Sequence, residues 1–299
     1  MSKQEYPYTE GAPPPIEDDQ YFQKLSSDYH SLLDAEGDNE EPVQKFFEEN
    51  PCLVPGARAD VIDNMPSGHG PLYGALITQP KIQGLKKRIP DFLWLAYDSL
   101  VFNPIFIEIE SPNKRHFNGD GSTSRDFNQA RTQIEEWQAV LNQPESQLAF
   151  YRDFGIPDFV RKKKWNPLYV LIYGRRSEFE GDDWLSQKRA SLQSGNLRLM
   201  SFDRLTPTIA KRNYVCCEVS GGKFIAKTLS PTFTLGPNHE SLLKIEGLTH
   251  AVDSMVYTSG KRKKFLKQKI PVCLEYLRSA ASNNSFALPT PKSIVKRVE

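Results

Sequence analysis

The sequence predicts an α/β protein, an α+β mixed sheet flanked by helices, with a small C-terminal accessory region. Three observations predict it. Residues 105–110 alternate strictly, with Ile105, Ile107 and Ile109 set against Phe106, Glu108 and Glu110, and strict alternation of β-branched residues marks a strand. Phe127, Ala130, Ile134, Trp137 and Leu141 recur at steps of three and four, the single apolar stripe of an amphipathic helix. Two β-rich runs, 214–219 and 224–229, flank Ser220-Gly221-Gly222-Lys223, a hairpin signal with a Gly-Gly turn.

The remaining elements follow in order. Residues 1–22 include Gly11-Ala12-Pro13-Pro14-Pro15 and Glu17-Asp18-Asp19, too polar and proline-rich for a core, and read as a flexible leader. Tyr21 to Leu33 reads as a short helix, opening a main unit at 23–206. Pro66 to Gly74, with His69 inside it, reads as a loop near the mouth of a site. Asp91 to Tyr97 is a β-rich run followed by the turn residues Asp98-Ser99 and Asn103-Pro104, so it pairs antiparallel with the strand at 105–110. Asn113 to Ser124 is a polar loop, and Thr123 or Ser124 can cap the helix at 124–141. The accessory region, 207–282, holds the hairpin and helical patterns at 239–256 and 260–281, with Pro271 expected to kink or restart the second. Residues 283–299 read as a flexible tail.

No other segment concentrates carboxylates on predicted strands as this one does. Residues two apart on a strand share a face, so Glu108 and Glu110 are neighbours and the isoleucines face a core. Antiparallel pairing brings Asp91 to the same end. Such charges repel, and burying them unpaired costs about several kcal/mol each. A hard divalent cation with oxygen ligands is the natural counter-charge. The plainer reading places Glu108 and Glu110 on the solvent face of an amphipathic strand. Gln129 and Gln133 are four apart on the following helix and share a face; an amide at 133 can hold a water or a phosphate, or simply stand half-exposed.

Composition narrows the partners. Of 299 residues, 38 are Lys or Arg and 37 are Asp or Glu, so nucleic-acid contact must come from local clusters rather than a basic surface. Lys86-Lys87-Arg88 precedes Asp91. Arg161-Lys162-Lys163-Lys164 and Lys261-Arg262-Lys263-Lys264 are the other two clusters, and each can also be a solvated face. Cys52, Cys216, Cys217 and Cys273 lack zinc spacing and fit reduced thiols in a cytoplasmic protein. The histidines are scattered, and His116, the one near the carboxylates, reads as a surface loop residue. No membrane span or secretory signal is expected.

The order of these motifs resembles the PD-(D/E)XK nuclease superfamily and, more narrowly, the Shedu family of bacterial anti-phage defence nucleases. It runs from a helix with an acid, through Pro90-Asp91 and the strand with Glu108-Ile109-Glu110, to a helix carrying Gln133 and Trp137. Glu40 to Pro51 is similar to the family's opening helix with its Asn-Pro end. Tyr169 to Arg176 is similar to its later strand ending in Gly-Arg, and Ser201 to Leu205 to its closing segment. The resemblance covers residues 36 to 206. It implies a PD-(D/E)XK restriction-endonuclease-like core and a Mg²⁺- or Mn²⁺-dependent DNA endonuclease or nickase that hydrolyses phosphodiester bonds in anti-phage defence.

Carried over, Asp91, Glu108 and the Ile109 carbonyl are metal ligands, Gln133 is the helix glutamine, and Glu40 is the first-helix acid with Glu41 as rival. Lys86, Lys87, Arg88, Lys114, Arg115 and Gln129 are the expected nucleic-acid contacts, and a homo-oligomer, tetrameric in the family's pattern, is implied. Glu110 departs from the pattern, which usually has lysine there. Three consequences stay open: a second cation, a substitute cation in Lys114 or Arg115, or loss of catalysis. In the last case the domain is a binding module for nucleic acid or a phage protein.

Overall fold

A computed structural model describes residues 11–57, 70–84, 89–193, 195–207, 213–235 and 240–282. Its centre is β3 (Val101–Ile109), buried on both faces along almost its whole length. β2 (Phe92–Tyr97) pairs antiparallel with it, as expected, Phe92 opposite Ile107 and Leu95 opposite Pro104; Asp98-Ser99 lie between the strands, whereas Asn103-Pro104, expected in the turn, lie inside β3, which begins at Val101. On the other side β5 (Leu168–Ile172) runs parallel to β3, and β6 (Leu197–Met200) runs parallel to β5.

β1 (Ala75–Thr78) has no counterpart in the sequence reading. It joins the two ends of the sheet, pairing antiparallel with β2 and parallel with β7 (Val215–Ser220). The hairpin of β7 and β8 (Lys223–Leu229) forms as expected, with Gly221 at φ 57 and Gly222 at φ 76, the left-handed pair a tight two-residue turn needs. β9 (Ile245–Glu246) adds to β8, and β4 (Lys164–Trp165) pairs with β3. The result is one mixed nine-stranded sheet in the order β6-β5-β3-β2-β1-β7-β8-β9. The sheet therefore continues across residue 206, where the accessory region was expected to begin.

Helices cover both faces. On one, α1 (Asp18–Ala35) and α2 (Glu40–Glu49) bury Tyr21, Leu25, Leu33, Val43 and Phe47 against Ile105, Ile107 and Ile109. α1 starts inside the expected leader, because Tyr21 and Leu25 are fully buried and supply its first core contacts. On the other face, α3 (Arg125–Leu141) packs Phe127, Ala130, Ile134, Trp137 and Leu141 over Phe102, Phe106 and Tyr169. Ser124 is its N-cap, its hydroxyl accepting the Phe127 N–H at 3.1 Å. α4 (Pro144–Asp153), α5 (Asp158–Arg161) and α6 (Asp183–Ser191) follow.

The C-terminal helical expectations need correction. Residues 240–254 form two 3₁₀ turns, the short β9 and one α turn, α7 (Leu248–Ala251), because Gly247 at φ 75 breaks the helical path. α8 (Gly260–Ser282) runs through Pro271 without ending. The tail at 283–299 lies outside the described residues. Among the described residues no helix is long and apolar enough to cross a membrane.

Candidate functional site

The register of β2 on β3 places Asp91, the residue before β2, opposite Glu108. Both face the α3 side of the sheet, since Phe92 and Ile107 face the other. The two carboxyl groups lie close enough for each to perturb the other's ionisation. Asp91 Oδ2 also accepts the Ile109 N–H at 2.8 Å. Glu108 is only 7% exposed; its Oε1 accepts Gln133 Nε2 at 2.5 Å, while its Oε2 is buried without a partner. Gln133 reaches it because the apolar stripe seats α3 over β3 with residue 133 at the stripe's edge.

Burial is the main cause of the electrostatics here. It pushes Asp91 up to about 7, against the Ile109 N–H and with the nearby charges of Glu40 and Glu110. It raises Glu108 well above the carboxylate range, helped by Asp91 and Glu110. One proton shared between two buried carboxyls is the expected result. Burial also raises Glu110, but its bond to the Lys114 ammonium opposes this.

Lys114 Nζ bridges Glu110 and Glu40, the latter at 3.0 Å. Glu40, not Glu41, is the acid that joins the cluster, because it opens α2 at the end facing the loop after β3. That loop is tied down at several points. Asn113 N–H and Ser111 Oγ–H both donate to the Gly37 carbonyl. Gly174, at φ 65, lets β5's end approach so closely that an added Cβ would lie 2.7 Å from the Lys114 carbonyl.

His116 is not a surface residue: it is fully buried in a ring of Phe117, Phe127, Tyr173 and Phe179. Its Nδ1 pairs with Glu178 at 2.9 Å, and Glu178 also accepts the His116 and Phe117 N–H groups. Burial lowers the His116 pKa more than Glu178 raises it. Glu178 was not legible as an anchor, since it lies 62 residues from its partner.

The other basic candidates scatter. Arg115 is exposed beside Glu178, and Gln129 is exposed on α3. Lys86, Lys87, Arg88 and His69 lie outside the described residues. In the second cluster Arg161, Lys162 and Lys164 are exposed, with the Arg161 Nε–H donating to the Ile156 carbonyl and Lys163 to the Ser99 carbonyl. Arg262 is 1% exposed and donates to the Pro13 and Phe233 carbonyls, so that cluster is not one solvated basic face. All four cysteines are buried and none is in a disulfide.

The donor set at Asp91 and Glu108 fits a hard divalent cation. Two converging carboxylates with a buried oxygen lacking a hydrogen-bond donor are what Mg²⁺ uses beside water and phosphate oxygens. Among the described residues no three His, Cys, Asp or Glu side chains form a metal-holding group, and Glu110 is paired with Lys114. A cation here would need its other ligands from the main chain, water or a bound partner.

No curated protein matches the chain. A family model described as "Shedu protein SduA, C-terminal" matches residues 37–206, more than half of the sequence and the stretch that holds every residue of the carboxylate cluster.

Proposed function

The chain belongs to the Shedu family, whose membership points to anti-phage defence, and from that premise we propose that it is a metal-dependent DNA endonuclease or nickase with a PD-(D/E)XK core. The observation that carries this is the Asp91–Glu108 pair: two facing acids, Glu108 buried and Asp91 half-buried, one oxygen without a donor, at the end of the central strand. Gln133 donates a hydrogen bond to Glu108 and the Ile109 N–H donates one to Asp91.

Asp91, Glu108 and the Ile109 carbonyl would hold Mg²⁺ or Mn²⁺. A cation there supplies activation of a water and neutralisation of charge on the phosphodiester. Gln133 fixes the Glu108 carboxyl, so that its free oxygen is presented in one orientation. Lys114 offsets Glu40 and Glu110 and brings an ammonium beside the site, the charge a lysine at 110 would otherwise supply; the anchored loop holds it in place before substrate arrives. Lys114, Arg115 and Gln129, with Lys86, Lys87 and Arg88, are the proposed DNA contacts, and the working form is a homo-oligomer.

The test is plasmid DNA incubated with wild type or Asp91→Ala in Mg²⁺, Mn²⁺ or EDTA. Nicked or linear product is expected from wild type with metal only. Equal cutting by Asp91→Ala would overturn the assignment. One observation favours a second reading, a binding module without hydrolysis: Glu110 is engaged by Lys114 rather than turned to the pair. A salt-sensitive gel shift with no metal-dependent product selects that reading.

A further inference from the structure

The run Arg161-Lys162-Lys163-Lys164 lies at the far end of the β2–β3 hairpin from the carboxylate pair. Lys164 pairs with Val101, where β3 begins, and Glu108 follows about 24 Å along the strand at ~3.4 Å per residue. The run is folded onto the turn that joins the two strands. The Lys164 N–H donates to the Leu100 carbonyl at 3.0 Å. Lys163 Nζ donates to the Ser99 carbonyl at 2.8 Å and stands 5.8 Å from the centre of the Tyr97 ring. Phe159, on α5, meets that ring edge to face, with 5.8 Å between centroids.

Two large apolar side chains stand in solvent here: Leu100 is 78% exposed and Phe159 56%. One such residue alone is ordinary, but exposed apolar groups gathered on one surface and rimmed by polar ones mark an interaction site. The rim is mostly positive. Segments 97–101 and 158–165 together hold four cations and two carboxylates. The Asp98 carboxylate holds the turn, accepting the Leu100 and Val101 N–H groups at 2.7 and 2.6 Å. Asp158 stands 3.8 Å from Arg161. Arg161, Lys162 and Lys164 are all exposed.

We propose that this surface binds single-stranded nucleic acid, with a base stacked on Phe159 and the backbone phosphates on Lys162 and Lys164. Cations alone would suit any polyanion; the exposed ring among them narrows the choice. Surfaces that take single strands combine a positive track for the backbone with aromatic side chains on which bases stack. A duplex keeps its bases inside and has no use for Phe159. The Tyr97 contact limits how far the Phe159 ring can turn, so less freedom is lost when a base stacks on it. The site is separate from the carboxylate pair and needs no metal.

The test is fluorescence anisotropy in EDTA on the full chain, with labelled decathymidylate and a duplex of the same length, beside co-sedimentation with phosphatidylcholine–phosphatidylserine vesicles. Decathymidylate is expected to bind saturably and more tightly than the duplex. Phe159→Ala should weaken it about fivefold or more, the loss of one stacked base, and Phe159→Trp should bind at least as tightly as wild type. Lys162→Gln combined with Lys164→Gln should lower the slope of log affinity against log salt by about 1.4, at ~0.7 per phosphate contact on a single strand. Affinity unchanged by Phe159→Ala, or a salt slope unchanged by the lysine variant, overturns the proposal. So does a duplex bound as tightly as the single strand. Vesicle binding that these variants reduce, with decathymidylate binding untouched, would give the surface to a membrane instead. No metal is present and no cleavage is read, so failure here and failure of the nuclease reading are separate results.

Discussion

The two faces of β3 meet helices in opposite ways. On one, Ile105, Ile107 and Ile109 bury beneath α1 and α2 in one hydrophobic cluster. On the other, Phe102 and Phe106 bury beneath α3, and then the pattern changes to Glu108. The same strand thus carries a face that stabilises and a face that ends in a costly acid. Substitution should separate the two: the aliphatic face trades in stability, the acidic end in activity.

The largest contrast is at Asp91. Asp91→Asn should abolish metal-dependent cleavage while leaving the melting temperature of the metal-free protein equal or higher. The sign follows from burial. Asp91 is held up to about 7 in the fold, against ~3.9 unfolded, so the unfolded chain loses its proton first. Its contribution to stability is complete below about pH 4 and is lost as pH rises through about 7. The melting-temperature gap between variant and wild type should widen over that window. Excess Mn²⁺ should raise the wild-type melting temperature and leave that of Asp91→Asn unmoved; a shift of equal size in both would detach the cation from this pair.

On the opposite face, Ile107→Ala should cost about 2–5 kcal/mol in urea unfolding and leave cleavage per folded molecule near wild type. A variant that unfolds normally but cuts poorly would blur the division between the faces. Gln133→Leu comes next. It removes the amide that orients Glu108, and removal of such a partner costs about 10–100-fold in metal affinity or rate. Calorimetric Mn²⁺ titration measures it.

The smallest effect is expected at His116, away from both faces. Its folded pKa is lowered, chiefly by burial, so its neutral form stabilises the fold above its unfolded value of ~6.5. That contribution is lost as pH falls from there through the depressed value. His116→Phe should flatten the stability profile below pH 6.5, read by urea unfolding at several pH values, with cleavage retained wherever Lys114 keeps its place.

Much of the site's local framework was legible. The period of two at 105–110, the stripe from Phe127 to Leu141, the Ser124 cap and the Gly-Gly turn are all short-range signals, and all formed. They bear on which side of an element faces a core, and so they set Glu108 opposite the isoleucines. β1 was not legible: Ala75 to Thr78 is only four residues long, buried throughout and without alternation. The breaks at 240–254 were hidden because a single left-handed glycine decides them.

The sequence by itself determined the central strand, its antiparallel neighbour, the helix from Phe127 to Leu141 and the Gly-Gly hairpin, with their inward faces, because periodicity and turn chemistry act over a few residues. The tertiary structure decided that Glu40 joins Lys114, that Glu178 anchors His116, and that Arg262 is buried against carbonyls. Those partners are joined by chain segments of tens to hundreds of residues, and no local pattern encodes a contact whose geometry exists only once the sheet has assembled.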